Sequence, residues 1–251
     1  MGEGDGVAYS SARERNELGQ PIGRAVPDWS PALAPPHTPM EGHFCRLEPL
    51  DPSTHSRDLF DAFALDREGG NWTYLPHGPF SEFPIFDEWM VAICRQEDIQ
   101  FYSIVDLETG HAVGIASYLR INPVAGSIEV GYLNFSPLLQ KRPAATEAMY
   151  LMMRRAFMEL GYRRYEWKCD VLNEASRQAA TRLGFRFDGV FRQATVYKGR
   201  DRDTAWFSIL DREWQALEPA YEEWLTGVRN SPDGQQREPL NLTIKRHITG
   251  T

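Results

Sequence analysis

The sequence is short of cysteine, of ligand-spaced histidine, of long apolar runs and of positive charge, and each shortage excludes something. Its three cysteines, Cys45, Cys94 and Cys169, stand far apart with no C-x-x-C pair. That excludes a disulfide framework and suits a reduced, cytoplasmic protein. His37, His43, His55, His77, His111 and His247 include no pair at helical or finger spacing, so no metal is expected. No apolar run approaches the ~20 residues that span a bilayer, and "MGEGDGVAYSSARERNELG" lacks the apolar core of a secretion signal. On that reading the Asn241-Leu-Thr sequon is accidental. Lys and Arg number 27 against 35 Asp and Glu, a net charge of -8, which disfavours nucleic acid and anionic membrane as partners. A small-molecule amine or a basic peptide is better matched. With no G-x-S-x-G elbow, Ser-His-Asp hydrolysis has no support.

What is present is a chain of 251 residues, 42% apolar, long enough for a well-buried domain with extensions. Residues 1–43 are rich in Gly, Pro and charge, and "PDWSPALAPPHTP" sustains neither a helix nor a central strand, because each proline removes a backbone donor. They read as an irregular arm that either covers part of the site or contacts a second copy in a homodimer. A domain over 44–228 opens with a strand at "FCRLEPL" and two helices at "HSRDLFDAFALD" and "FPIFDEWMVAICRQ". Three strands follow, "IQFYSIVD", "AVGIASYLRI" and "GSIEVGYLNF", with turn signals between them. A long helix then presents Ala145, Ala148, Met149, Met152, Ala156 and Leu160 inward and ends at Gly161. A strand at "RRYEWKCDV", a short helix capped by Asn173, strands at "FDGVFRQATVYK" and "TAWFSILDREW", and a helix at "LEPAYEEWLTGV" complete it. Residues 229–251 read as a flexible tail. This order implies an α/β (α+β) fold, with helices on both faces of a sheet.

One loop carries chemistry. In "LLQKRPAATEAM" a strand feeds a helix N-terminus flanked by Lys141 and Arg142. Unpaired N–H groups, the helix dipole and two cations make an anion site there, the alternative being a solvated basic turn. The order of elements from Cys45 to about Trp214 resembles the GNAT acetyltransferase superfamily, and within it the ribosomal-protein N-terminal acetyltransferase-like branch. Gln140, Pro143 and Ala145 fall on that family's Q/R-x-x-G-x-G/A loop, "ATEAM" on the start of its helix, "VGYLNF" on the strand before it and "NEASRQAATRLGF" on its N-x-x-S/A segment.

The resemblance implies a mostly antiparallel sheet of about seven strands and transfer of an acetyl group from acetyl-CoA to a primary amine, on a small molecule or a protein N-terminus, in a ternary complex. It places the pyrophosphate against Gln140 and the backbone of Lys141, Arg142, Ala144 and Ala145, and the thioester carbonyl against the backbone of Leu133, Asn134 and Phe135. Asn173 then contacts pantetheine or simply caps a helix, and Ser176 attends the departing thiolate or satisfies a helix turn. Pro143 stands where the family has glycine and removes one donor, and Ala180 stands where many members have a tyrosine acid. Those two departures motivate an alternative, a catalytically weak acyl-CoA-binding or scaffold protein. For the base, Glu129 is the candidate, its side chain opposite Ile128, Val130 and Tyr132 by strand alternation, against a solvent-facing glutamate. Trp72, Tyr74 and Arg192 are the candidate walls of an acceptor pocket.

Overall fold

The computed structural model describes residues 14–231 and 238–250, in two units, Met1–Ser30 and Pro31–Thr251. In the first, β1 (Glu14–Arg15) and β2 (Pro21–Ile22) form a small antiparallel hairpin. The Asn16 side chain accepts the N–H groups of Leu18 and Gln20 at its turn. The rest of the expected arm divides: residues 1–13 lie outside the described residues, while Pro31 onward belongs to the larger unit. Prolines there donate nothing, but carbonyls accept. Pro35 and Pro36 take bonds from Gln100 and Tyr102, and the buried Arg155 guanidinium binds the carbonyls of Thr38 and Pro39, both at 2.7 Å.

The larger unit is built on eight strands: β3 (Met40–Glu41), β4 (Cys45–Pro49), β5 (Ile99–Asp106), β6 (Ala112–Asn122), β7 (Ser127–Phe135), β8 (Arg164–Asp170), β9 (Arg186–Tyr197) and β10 (Arg200–Leu210). Their order is β3-β4-β5-β6-β7-β8-β10-β9, and every pair is antiparallel except β7 with β8. The mixed sheet is the one expected, with Met40–Glu41 as an added edge.

The helices are α1 (Pro52–Phe63), α2 (Phe83–Cys94), α3 (Pro143–Arg154), α4 (Glu174–Arg182), α5 (Asp211–Arg229) and α6 (Leu240–Thr249). Leu59, Phe63, Phe86 and Met90 of α1 and α2 pack with Phe101 and Ile115 in one apolar cluster. Met149 and Met152 of α3 and Trp214 and Tyr221 of α5 pack with Tyr118, Ile128 and Tyr165 in another. Helix α3 continues into a π-turn, Arg155–Glu159, and ends at Gly161, whose φ of +76° is the left-handed cap expected of it.

Two boundaries differ from the periodicity. Strand β10 stops at Leu210, because Asp211 and Glu213 open α5; Glu213 turns back to accept the Leu210 N–H at 2.9 Å. The expected flexible tail contains α6, with Leu240, Thr243 and Ile244 buried. The Trp224 indole of α5 donates to the Glu238 carbonyl just before it. Residues 232–237 of that tail lie outside the described residues. Among the described residues no helix is long and apolar enough to cross a membrane.

One carboxylate ties α3 to the start of the domain. Glu147 accepts the N–H groups of His43, Phe44 and Cys45 at 2.8, 2.6 and 2.9 Å. Gly42 makes room for it, since a Cβ there would stand 2.5 Å from the carboxylate oxygen. Glu147→Ala leaves three donors without an acceptor and should lower the unfolding free energy by roughly 2–4 kcal/mol. Urea unfolding would read this as a lower midpoint at constant slope; an unchanged midpoint contradicts the anchor.

Candidate active site

The site begins where β7 and β8 part. Their parallel register runs from Ser127 opposite Arg164 to Val130 opposite Trp167 and then stops, although both strands continue. A bulge in β7 accompanies the parting. Ser117 faces Gly131 but Ile115 faces Asn134, and Tyr132 between them has φ +49°. The bulge overturns the alternation expected of this strand. Ile128 and Val130 join the α3 cluster, whereas Tyr132 packs on the α1–α2 side, its ring 5.3 Å from that of Phe101. Beyond the parting lies a cavity of about 1100 Å³, whose lining includes Glu129, Leu133, Asn173, Ser176, Tyr74 and Arg192.

Glu129 is 3% exposed, so the solvent-facing alternative does not hold. Its Oε1 accepts from Arg120 at 2.7 Å and its Oε2 lies 2.7 Å from the Lys168 ammonium. Burial pushes the Glu129 carboxyl above its usual range, with Lys168 and Arg120 pulling it back. Lys168 also meets Glu166 at 2.8 Å and sits 3.7 Å from the centre of the Trp206 ring. Burial opposes ionisation of Glu166, but Lys168 and Arg164 hold its carboxyl below the usual range.

At the end of β8 the buried Asp170 accepts the Leu172 N–H at 2.9 Å and the Tyr197 hydroxyl at 2.8 Å. Burial and that carboxylate push the Tyr197 phenol up to about 12. Two long-range contacts involve or adjoin the lining residues Tyr74 and Tyr197. The Tyr74 hydroxyl donates to the Leu172 carbonyl at 3.0 Å, and Lys198 donates to the Trp72 carbonyl at 2.7 Å.

Asn173 caps α4 by accepting the Ser176 N–H at 3.0 Å, and the Ser176 hydroxyl accepts from the Trp167 indole at 3.0 Å. Both residues line the cavity while serving the helix. Leu133 lies in the bulge and faces the cavity, whereas Asn134 and Phe135 resume pairing with Ile115 and Gly114. Trp72 is a core residue: it is 3% exposed, edge-on to Phe63 and Phe80, and outside the lining of the large cavity. The aromatic cluster around it serves packing.

The α3 mouth lies apart from that lining. Lys141 adopts φ +62° and Arg142 stands at the N-cap. The Arg142 N–H bonds the Leu139 carbonyl and the Ala145 N–H bonds the Arg142 carbonyl, which leaves the N–H groups of Lys141 and Ala144 for a ligand. The Arg142 guanidinium is engaged by Asp106 at 3.2 Å and Glu108 at 2.6 Å. Gln140 joins mouth to cavity by donating to Asn71, a lining residue, at 2.9 Å and to the Phe135 carbonyl at 2.8 Å. The residues fit a phosphorylated ligand through Lys141 and Ala144, with fewer donors than the spacing alone implies. Among the described residues no group of three His, Cys, Asp or Glu side chains is arranged to hold a metal.

Sequence reasoning missed Asn71, Lys168 and Tyr197. For Lys168 a signal existed: Glu166, Lys168 and Asp170 alternate with Tyr165, Trp167 and Cys169. Charges at every second position of a buried strand require partners across it.

The fold, with its split parallel pair beside a helix mouth, matches solved GNAT-family acetyltransferases. The family model for the acetyltransferase (GNAT) domain matches residues 45–186, and the chain belongs to that family, as an N-acetyltransferase that uses acetyl-CoA as co-substrate. It is similar to a GCN5-related N-acetyltransferase from Brucella melitensis, at 41% identity and TM-score 0.85 over 88% of this chain and 100% of that one. It also resembles a GNAT-family acetyltransferase from Chromobacterium violaceum, at 41% identity and TM-score 0.72 over 78% and 98% of the two chains. A Bacillus subtilis protein bearing a ribosomal N-acetyltransferase name, YdaF, is 26% identical over 148 residues, 58% of this chain and 80% of that protein.

Because Arg142 is already paired and Lys141 is exposed, Lys141→Glu should weaken acetyl-CoA binding by about tenfold, the worth of one charge-assisted hydrogen bond. Arg142→Ala should weaken it less. Calorimetric titration that ranks the two variants the other way contradicts this reading of the mouth.

Proposed function

We propose that the protein transfers acetyl directly from acetyl-CoA to a primary amine in a ternary complex, with Glu129 as base. The observation that carries this reading is a buried carboxylate on the cavity wall where β7 and β8 part. The amine arrives as an ammonium, and one proton leaves to Glu129 through water. The neutral nitrogen then attacks the thioester carbonyl, a C–N bond forms and the C–S bond breaks. The second nitrogen proton ends on sulfur, giving amide, free thiol and one proton on the base. Leu133 is the backbone group nearest this role for the carbonyl, and Ser176 is the hydroxyl available to the thiolate. Cys169 serves no acyl-carrying step, since burial pushes its thiol up against a hydrogen bond from Ser176.

The acceptor is a primary amine, on a small molecule or a protein N-terminus. Support comes from Glu97 and Asp98 on the cavity lining, and, for a peptide, from the ribosomal name of YdaF. The three cysteines are free, which fits a cytoplasmic enzyme. A second reading, an acyl-CoA-binding or scaffold protein, is favoured by the reduced donor set of the α3 mouth and by Pro143. Coenzyme binding without thiol release across an amine and peptide panel would select it.

If Glu129 is the base, activity requires its carboxylate. The rate should fall as pH drops through a limb above the usual glutamate range, because burial raises that carboxyl. Glu129→Gln should lower kcat by about 10²–10³ and remove the limb. A variant with unchanged rate and profile rules Glu129 out as the base.

A further inference from the structure

We propose that Lys168 is the positioning residue of this site: its ammonium bridges two carboxylates and fixes Glu129 against the cavity for the amine step. The inference rests on the proposed acetyl transfer and names a residue that neither the family match nor the mouth motif indicates.

Glu129 and Glu166 are register partners across the parallel pair of β7 and β8, so two carboxylates stand side by side on neighbouring strands. Like charges so placed repel. Lys168, two residues beyond Glu166 on β8, brings its Nζ to 2.7 Å from Glu129 and 2.8 Å from Glu166, with its side chain 7% exposed. The Trp206 ring beneath it, 3.7 Å from centroid to nitrogen, holds the ammonium from β10. Alternating charges continue outward on both sides. Arg120 of β6 takes the other oxygen of Glu129, while Arg164 pairs with Glu166 and with Asp188 of β9, at 2.7 and 2.6 Å. Arg120 is 61% exposed at its side chain, which leaves Lys168 as the buried counter-charge of Glu129. The remaining charged groups on the cavity lining are Glu97 and Asp98 before β5, Asp170 at the end of β8, and Arg192 and Arg202 of β9 and β10. Tyr74, Tyr132 and Tyr197 complete the titratable set there, with Cys169.

The ammonium favours the ionised form of the base. Removing it leaves Glu129 facing Glu166 in a buried setting, so its proton affinity rises and the acid limb of kcat/KM moves to higher pH. An opposite charge at this range accounts for a shift of about one pH unit or more, which at a fixed pH below the limb is a loss of about tenfold.

The test is a carboxyl-¹³C NMR titration of glutamate-labelled protein, with Glu129→Gln assigning the resonance, run beside the pH profile of amine acetylation. Lys168→Met should raise the Glu129 midpoint and carry the acid limb with it, and Lys168→Arg, which keeps the charge, should restore both. Where Lys168→Met does not fold, Lys168→Gln and Lys168→Arg supply the comparison. An unmoved Glu129 midpoint in the neutral variants overturns the proposal, as does a moved midpoint that the acid limb does not follow. If the wild-type protein acetylates no amine, the proposed function fails by itself, and the NMR midpoint still decides whether Lys168 governs Glu129.

Discussion

Everything that makes this fold a site depends on the parting of β7 and β8 after four register pairs. Parallel strands that stayed together would bury their facing edges in a ladder and leave no room between them. Here the bulge at Gly131 and Tyr132 turns β7 away, and the same bulge returns Tyr132 to the α1–α2 cluster. The strand thus changes faces in mid-course: its first half packs under α3, and its second half forms a cavity wall. The anchoring of α3 by Glu147 and the hold of Arg155 on the Thr38–Pro39 carbonyls keep the helix mouth beside the opening.

The electrostatics follow from that geometry. A carboxylate placed in the paired half of β7 is buried by the sheet yet adjoins the cavity, and burial alone would neutralise it. The compensation is distributed over neighbouring strands, through Arg120, Lys168, Glu166 and Arg164, each pair closed at 2.7–2.8 Å. Such a network costs desolvation and is weak support for stability. Its placement on the cavity side fits a role in proton movement.

Local chemistry made much of this legible from residues alone. The apolar spacing of α1, α2 and α3, the alternation in β8, the Asn173 cap and the Gly161 stop are decided within a few residues of themselves, and they can be read there. What escaped was decided by distant partners. Met40–Glu41 is a strand only because β4 lies beside it, and α6 is held through α5 contacts that its own short polar sequence does not announce. Arg142 looks like a free cation until Asp106 and Glu108 arrive from another strand end. Trp72 looks like a pocket wall until Phe63 and Phe80 enclose it. In the site, Glu129, Leu133, Asn173 and Ser176 all reach the cavity; the alternation of β8 marks Lys168 as needing a partner, but which partner it meets, like the role of Tyr197, is set only when strands from different parts of the chain are laid together.

The most direct test of the central claim is a crystal structure of the protein with acetyl-CoA bound. The expected result is a thioester in the opening between β7 and β8, beside Leu133 and Ser176, with the pyrophosphate at Lys141 and Ala144. A coenzyme seated elsewhere, or a thioester remote from Glu129, would contradict it.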